Sequence, residues 1–75
     1  MKVTVKLIGP LIYEAGFSEK ELEVPESVTT DRLVELLGIG KERPRIVTRN
    51  GKAVAPLDAL EAGDRIVISP IYSGG

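Results

Sequence analysis

The chain has 75 residues, a net charge of -1, 43% hydrophobic and 28% charged residues, and no cysteine or histidine. That length allows one small domain and no second folding unit. The missing residue types exclude disulfides, thiol catalysis, most transition-metal sites and the usual neutral-pH general base. The near-zero charge gives no reason to expect nucleic acid or an anionic membrane as partner. No apolar run approaches the roughly 20 residues of a membrane span, and no signal peptide precedes the first strand, so a cytoplasmic protein is expected.

The charge is nonetheless unevenly placed. Between Glu14 and Glu35 seven acids face only Lys20 and Arg32, whereas Lys41, Arg43, Arg45, Arg49 and Lys52 face only Glu42. Both clusters are read either as solvated surface or as a dipolar surface that orients partners.

The first clear element runs from Lys2 to Ile8. Val3, Val5 and Leu7 alternate with Lys2, Thr4 and Lys6, the period of a half-buried strand. Gly9-Pro10 ends it, Leu11 to Gly16 read as an irregular apolar connection, and Lys20 to Val24 give a second strand with Leu22 and Val24 on one face. Two such neighbours make an antiparallel hairpin. Pro25 then stops the chain, and Thr29 or Thr30 is placed to cap a short helix with Asp31 in its first turn. Leu33, Leu36 and Leu37 are expected on its buried face, and Gly38 or Gly40 suits a left-handed exit.

Arg45 to Arg49, Asn50-Gly51 and Lys52 to Val54 predict a second hairpin, because Asn-Gly supplies the positive φ angles of a type I′ turn. Ile46 and Val47 are adjacent and must point to opposite faces, which leaves open which of them lies outside. Leu57 to Leu60 are expected to form one short helical turn. Ala62-Gly63-Asp64 turn the chain into a last strand, Arg65 to Ser69, and Pro70 is expected to end regular pairing. The order is strand, strand, helix, strand, strand, short turn, strand. An α+β β-grasp follows, a mixed sheet with one main helix packed across it and the first and last strands side by side and parallel. The expected division is a β-grasp domain over 1–70 and a flexible reactive tail over 71–75.

Several segments together resemble a known family: the Lys2–Leu7 opening strand, Glu14-Ala15-Gly16, Leu33 to Leu37, Asn50-Gly51-Lys52, Leu60 to Ile66 and the terminal Gly74-Gly75. In this order they resemble the ubiquitin-like sulfur carriers, namely the small subunit of molybdopterin synthase and the sulfur carrier of thiamin thiazole biosynthesis. Tyr13 to Gly16 and Pro70 look more like the molybdopterin branch, whereas Arg49 and Ile71-Tyr72 depart from it.

The resemblance implies a carrier rather than an enzyme. A ubiquitin-activating-type adenylyltransferase would consume ATP to adenylate Gly75, and a sulfur donor acting through that enzyme would convert it to a thiocarboxylate. Sulfur would then pass to a pterin inside the large catalytic subunit of molybdopterin synthase, or, with thiazole synthase as partner, to the thiazole of thiamin. Use as a protein modifier is a further alternative, and no cofactor or metal is expected on the chain itself. A free α-carboxyl is ionised at neutral pH and a poor electrophile, so activation must come first. Without Cβ atoms, Gly74 and Gly75 can thread a narrow enzyme channel, followed by Ser73 and Tyr72. The expected partner surface comprises Ile71, Val67, Arg65, Arg49 and Ile46 or Val47, unless Val67 and one of that pair lie under the helix.

Overall fold

The computed structural model describes residues 1–40 and 44–71. Strand β1 spans Lys2–Leu7, helix α1 Leu11–Ala15, β2 Glu19–Glu23, helix α2 Thr30–Leu36, β3 Arg45–Arg49, β4 Lys52–Ala53 and β5 Arg65–Pro70. Among the described residues the sheet has five strands in the order β2-β1-β5-β3-β4. β1 and β5 lie parallel in its middle, with Thr4 opposite Arg65 and Leu7 opposite Ile68, and the other pairs are antiparallel. This is the expected β-grasp.

Strand alternation decides the core. Val3, Val5 and Leu7 of β1, Ile66 and Ile68 of β5 and Val47 of β3 all turn to the face covered by α2, where they pack with Leu11, Leu33, Val34, Ile39 and Leu60. Burial of these aliphatic side chains supplies most of the driving force, each contributing about 1.5–3 kcal/mol before entropy is set against it.

The local caps hold as expected at two places. Thr29 is the N-cap of α2, its hydroxyl accepting from the Arg32 N–H at 3.2 Å. Asn50 and Gly51 adopt φ of 51° and 86°, the left-handed pair that a type I′ turn demands.

Other expectations are corrected. The Leu11–Gly16 connection is not irregular but contains α1. Pro10, with φ -63°, starts it, Gly16 in the left-handed region ends it by donating to the Ile12 carbonyl, and Leu11 anchors it in the core. Leu36 is half exposed, because Thr30, Leu33, Val34 and Leu37 form the i, i+3, i+4, i+7 stripe and leave it at the margin. Residues 57–60 make no helical turn. Asp58 takes the Ala55 N–H on its carboxylate, and the carbonyls of Pro56 and Asp58 accept the N–H groups of Asp31 and Thr30 at the start of α2. Ala59 forms an isolated bridge to Thr29. Those carbonyls satisfy the unpaired donors of another helix, so they are turned away from any helix of their own.

Pairing also continues past the expected stop at Pro70. Pro70 stands opposite Arg45, and the Ile71 N–H donates to the Pro44 carbonyl at 3.1 Å. Proline lacks only a donor, and at this register the ladder uses the donors on either side of it.

Candidate functional site

The expected tail follows the central strand β5, which is paired with β1 as far as Ile68 and with β3 as far as Pro70. Of the residues expected to react or to thread a channel, Tyr72, Ser73, Gly74 and Gly75 lie outside the described residues, as do Lys41 and Arg43 of the basic cluster. The described part of the site is the end of β5 and the sheet face that α2 leaves uncovered.

Register brings four of the expected interface residues, Ile46, Val67, Ile71 and Arg65, onto that face. Ile46 stands opposite Ser69 and Thr48 opposite Val67, which in turn neighbours Lys6 of β1. Ile46 is 49% and Ile71 48% exposed, Val67 is half-buried among its strand neighbours, and Ser69 between them is too small to cover either isoleucine. The open choice within the Ile46/Val47 pair is thereby settled, since Val47 faces the core. Val67 is not covered by the helix, because it alternates with the buried Ile66 and Ile68.

Ile8 extends this apolar face and was not foreseen. It is 37% exposed, with its N–H on the Ile68 carbonyl at 3.1 Å. The signal was in the sequence, because Ile8 shares the parity of Lys2, Thr4 and Lys6, the outward set of the first strand.

The two arginines expected beside this patch lie elsewhere. Arg65 is on the uncovered face but at the start of β5, where its guanidinium bonds Glu19 at 3.0 Å across β1. That hydrogen bond and the accompanying charge hold the Glu19 carboxyl below its usual value. Arg49 points to the other face. Its Nε lies 2.6 Å from Asp64 Oδ2, and its Nη2 lies 3.4 Å from Glu61.

Asp64 is the centre of a buried polar knot. Its carboxylate accepts the Glu61 N–H at 2.7 Å and the Asn50 side-chain amide at 3.1 Å. Asn50 in turn accepts the Arg65 N–H at 2.9 Å. Burial alone would raise the Asp64 pKa, but the bonds from Glu61, Asn50 and Arg49 outweigh it and hold the carboxyl below its ordinary range. In the sequence, Asn50 and Asp64 carry only turn signals. Their mutual contact spans two turns distant in sequence, which no local pattern encodes.

The arrangement is an exposed aliphatic surface at the end of β5. Among the described residues, no acidic cluster is placed to hold a metal ion, and no helix is long and apolar enough to cross a membrane. The exposed face offers aliphatic side chains next to the base of the tail, which suits recognition of the tail's bearer.

Comparison with known proteins agrees with this geometry. The ThiS family model matches residues 5–75. SAMP1 from Haloferax volcanii is 26% identical over 100% of both chains, with a TM-score of 0.77. A molybdopterin converting factor subunit 1 from Pyrococcus furiosus, described as putative, is 26% identical over 93% of this chain and 97% of its own, with a TM-score of 0.79. A complex of subunits 1 and 2 of the molybdopterin-converting factor from Helicobacter pylori shares the fold at 21% identity and a TM-score of 0.66, covering 100% of both chains. No curated protein sequence matches the chain significantly. With a family match that reaches from the first strand to the last residue, on a five-stranded β-grasp sheet, the chain belongs to the ThiS family of ubiquitin-like sulfur carriers.

Proposed function

We infer that the chain carries sulfur as a thiocarboxylate on Gly75 and delivers it, as the small subunit of a molybdopterin synthase, to a pterin precursor. The observation that carries this reading is the family match running through residue 75, on a chain whose side chains include no thiol on which sulfur could ride. The carboxylate of Gly75 attacks the α-phosphate of ATP on an activating enzyme and pyrophosphate leaves. A sulfur nucleophile then attacks the acyl carbon, and AMP leaves with the oxygen through which it was attached. The carrier contributes a docking face and a tail; ATP and the catalytic groups belong to its partners.

The pterin acceptor is supported by the likeness to the Pyrococcus protein and, in fold, to the subunit of the Helicobacter complex. The second of these also supports a large catalytic subunit as partner. The chemistry of the tail is common to a thiazole acceptor and to attachment to other proteins, so the decisive measurement reads the product.

Intact-mass spectrometry of the chain co-expressed with its activating enzyme and a sulfur donor is expected to show the increment of one oxygen replaced by sulfur. Deletion of Gly75 abolishes it. A tail that never gains this mass with its own activator overturns the reading. A ladder of covalent adducts on denaturing gels, in place of a single band, would identify a protein modifier instead.

A further inference from the structure

A second surface lies away from the tail, along the free edge of β2. This strand is the outermost of the sheet on its side. Met1 and Val24 exchange both backbone hydrogen bonds at 2.8 Å, and at the other end of the strand the Leu7 N–H bonds the Ser18 carbonyl at 2.8 Å. In an antiparallel ladder bonded at both ends in this way, Ser18, Lys20, Leu22 and Val24 turn their backbone polar groups toward β1. The N–H and C=O groups of Glu19, Glu21 and Glu23 therefore point outward, along an edge that no other strand of the described residues occupies.

An apolar groove of about 330 Å³ runs beside that edge, between β2 and α2. Phe17, Leu22, Leu33, Leu36 and Leu37 line it together with Lys20 and Glu23, and the Lys20 Nζ lies 5.9 Å from the Phe17 ring centroid. Leu36, which the helical stripe leaves half exposed, borders this groove. On the opposite face of the same strand stand the carboxylates of Glu19, Glu21 and Glu23, with 45%, 63% and 69% of their side chains exposed. Each already meets a cation of this chain: Arg65, Lys2 and the N-terminal ammonium respectively. Pairs this exposed are weak and leave the carboxylates able to accept further partners.

We propose that this edge binds an extended segment of a partner protein in which basic and aliphatic residues alternate. Added as a sixth strand, such a segment takes its backbone hydrogen bonds from Glu19, Glu21 and Glu23. Its aliphatic side chains enter the groove beside Leu36, and its basic side chains stand opposite the three glutamates. The same geometry disfavours a second copy of this edge, which would set glutamates against glutamates. The site goes beyond sulfur carriage and does not depend on it, because it uses no residue of the tail and lies at an edge of the sheet separated from Ile46 by β1 and β5, although its three glutamates share the uncovered face with that residue.

The test is fluorescence anisotropy with a labelled synthetic peptide in which lysine alternates with valine, combined with amide chemical-shift mapping on the full chain. The peptide is expected to bind and to move the amides of Glu19, Glu21 and Glu23 together with residues lining the groove. Leu36→Asp, at a half-exposed position where the fold is expected to persist and is checked by its amide spectrum, is expected to weaken binding by about tenfold, as loss of one buried leucine contact does. A peptide with glycine for valine, or with methylated backbone nitrogens on the edge-facing side, is expected not to bind, whereas Ile46→Asp leaves affinity unchanged. Equal binding of the glycine peptide, indifference to Leu36→Asp, or no binding of the lysine-valine peptide would each overturn the proposal.

Discussion

The two ends of β5 are built on opposite principles. At its start, Asp64, Asn50 and Arg49 turn their polar groups on one another, and the Asp64 backbone adds bonds from the Thr4 N–H and to the Glu61 carbonyl. At its end, Ile71 and its neighbour Ile46 leave about half their surface in water. A strand of this length separates the two regions by roughly 17–20 Å. The first end has satisfied its chemistry internally, and the second leaves aliphatic surface exposed. The lesson concerns charge in particular: Arg49 looked like a docking residue in the sequence, yet it is tied to Asp64 and belongs to the framework.

The contrast breaks most sharply under substitution of Asp64. Asp64→Ala leaves Arg49 and the Asn50 amide without their buried acceptor and is expected to lower stability by about 2–4 kcal/mol, read by urea unfolding. Its affinity for the activating enzyme, measured where the variant is still folded, should be unchanged. The inverse result is expected at the other end. Ile46→Asp combined with Ile71→Ser should leave the unfolding midpoint nearly untouched and weaken binding to the activating enzyme by about tenfold or more. A double variant that binds normally would remove the patch from the interface.

Acid sharpens the comparison further. The Asp64 carboxyl titrates in the folded state below the ordinary value of 3.8, so its contribution to stability is complete above that value and is lost as pH falls through it toward the folded pKa. A pH series of unfolding midpoints is expected to steepen below about 4 and to flatten there in Asp64→Asn. The smallest effect is expected from Arg65→Ser. This variant removes an exposed pair with Glu19 and should shift neither melting temperature nor partner affinity measurably, as calorimetry and binding would show.

Strand alternation made much of this legible in advance. Val3, Val5 and Leu7 announced their face, Asn50-Gly51 announced its turn, and Thr29 was one of two hydroxyls suited to cap α2. Segments whose hydrogen-bond partners are distant in sequence were not legible. Leu57 to Leu60 have a helical composition, but the carbonyls of Pro56 and Asp58 are claimed by α2, and Leu57 is left 82% exposed. Pro70 reads as a terminator, yet Arg45 and Pro44 hold the chain in register through it. A groove between β2 and α2 likewise exists only once both elements are assembled.

By itself, the sequence determined the periodicity of the elements, the absence of thiol and imidazole chemistry and the order of segments that matches the sulfur carriers. These properties are local or compositional and survive in an unfolded chain. Tertiary structure alone decided which of Ile46 and Val47 meets solvent and that Arg49 turns away from the exposed face toward Asp64. Each of those outcomes depends on register between strands far apart in sequence, where a slip of one residue would exchange the two faces of the sheet.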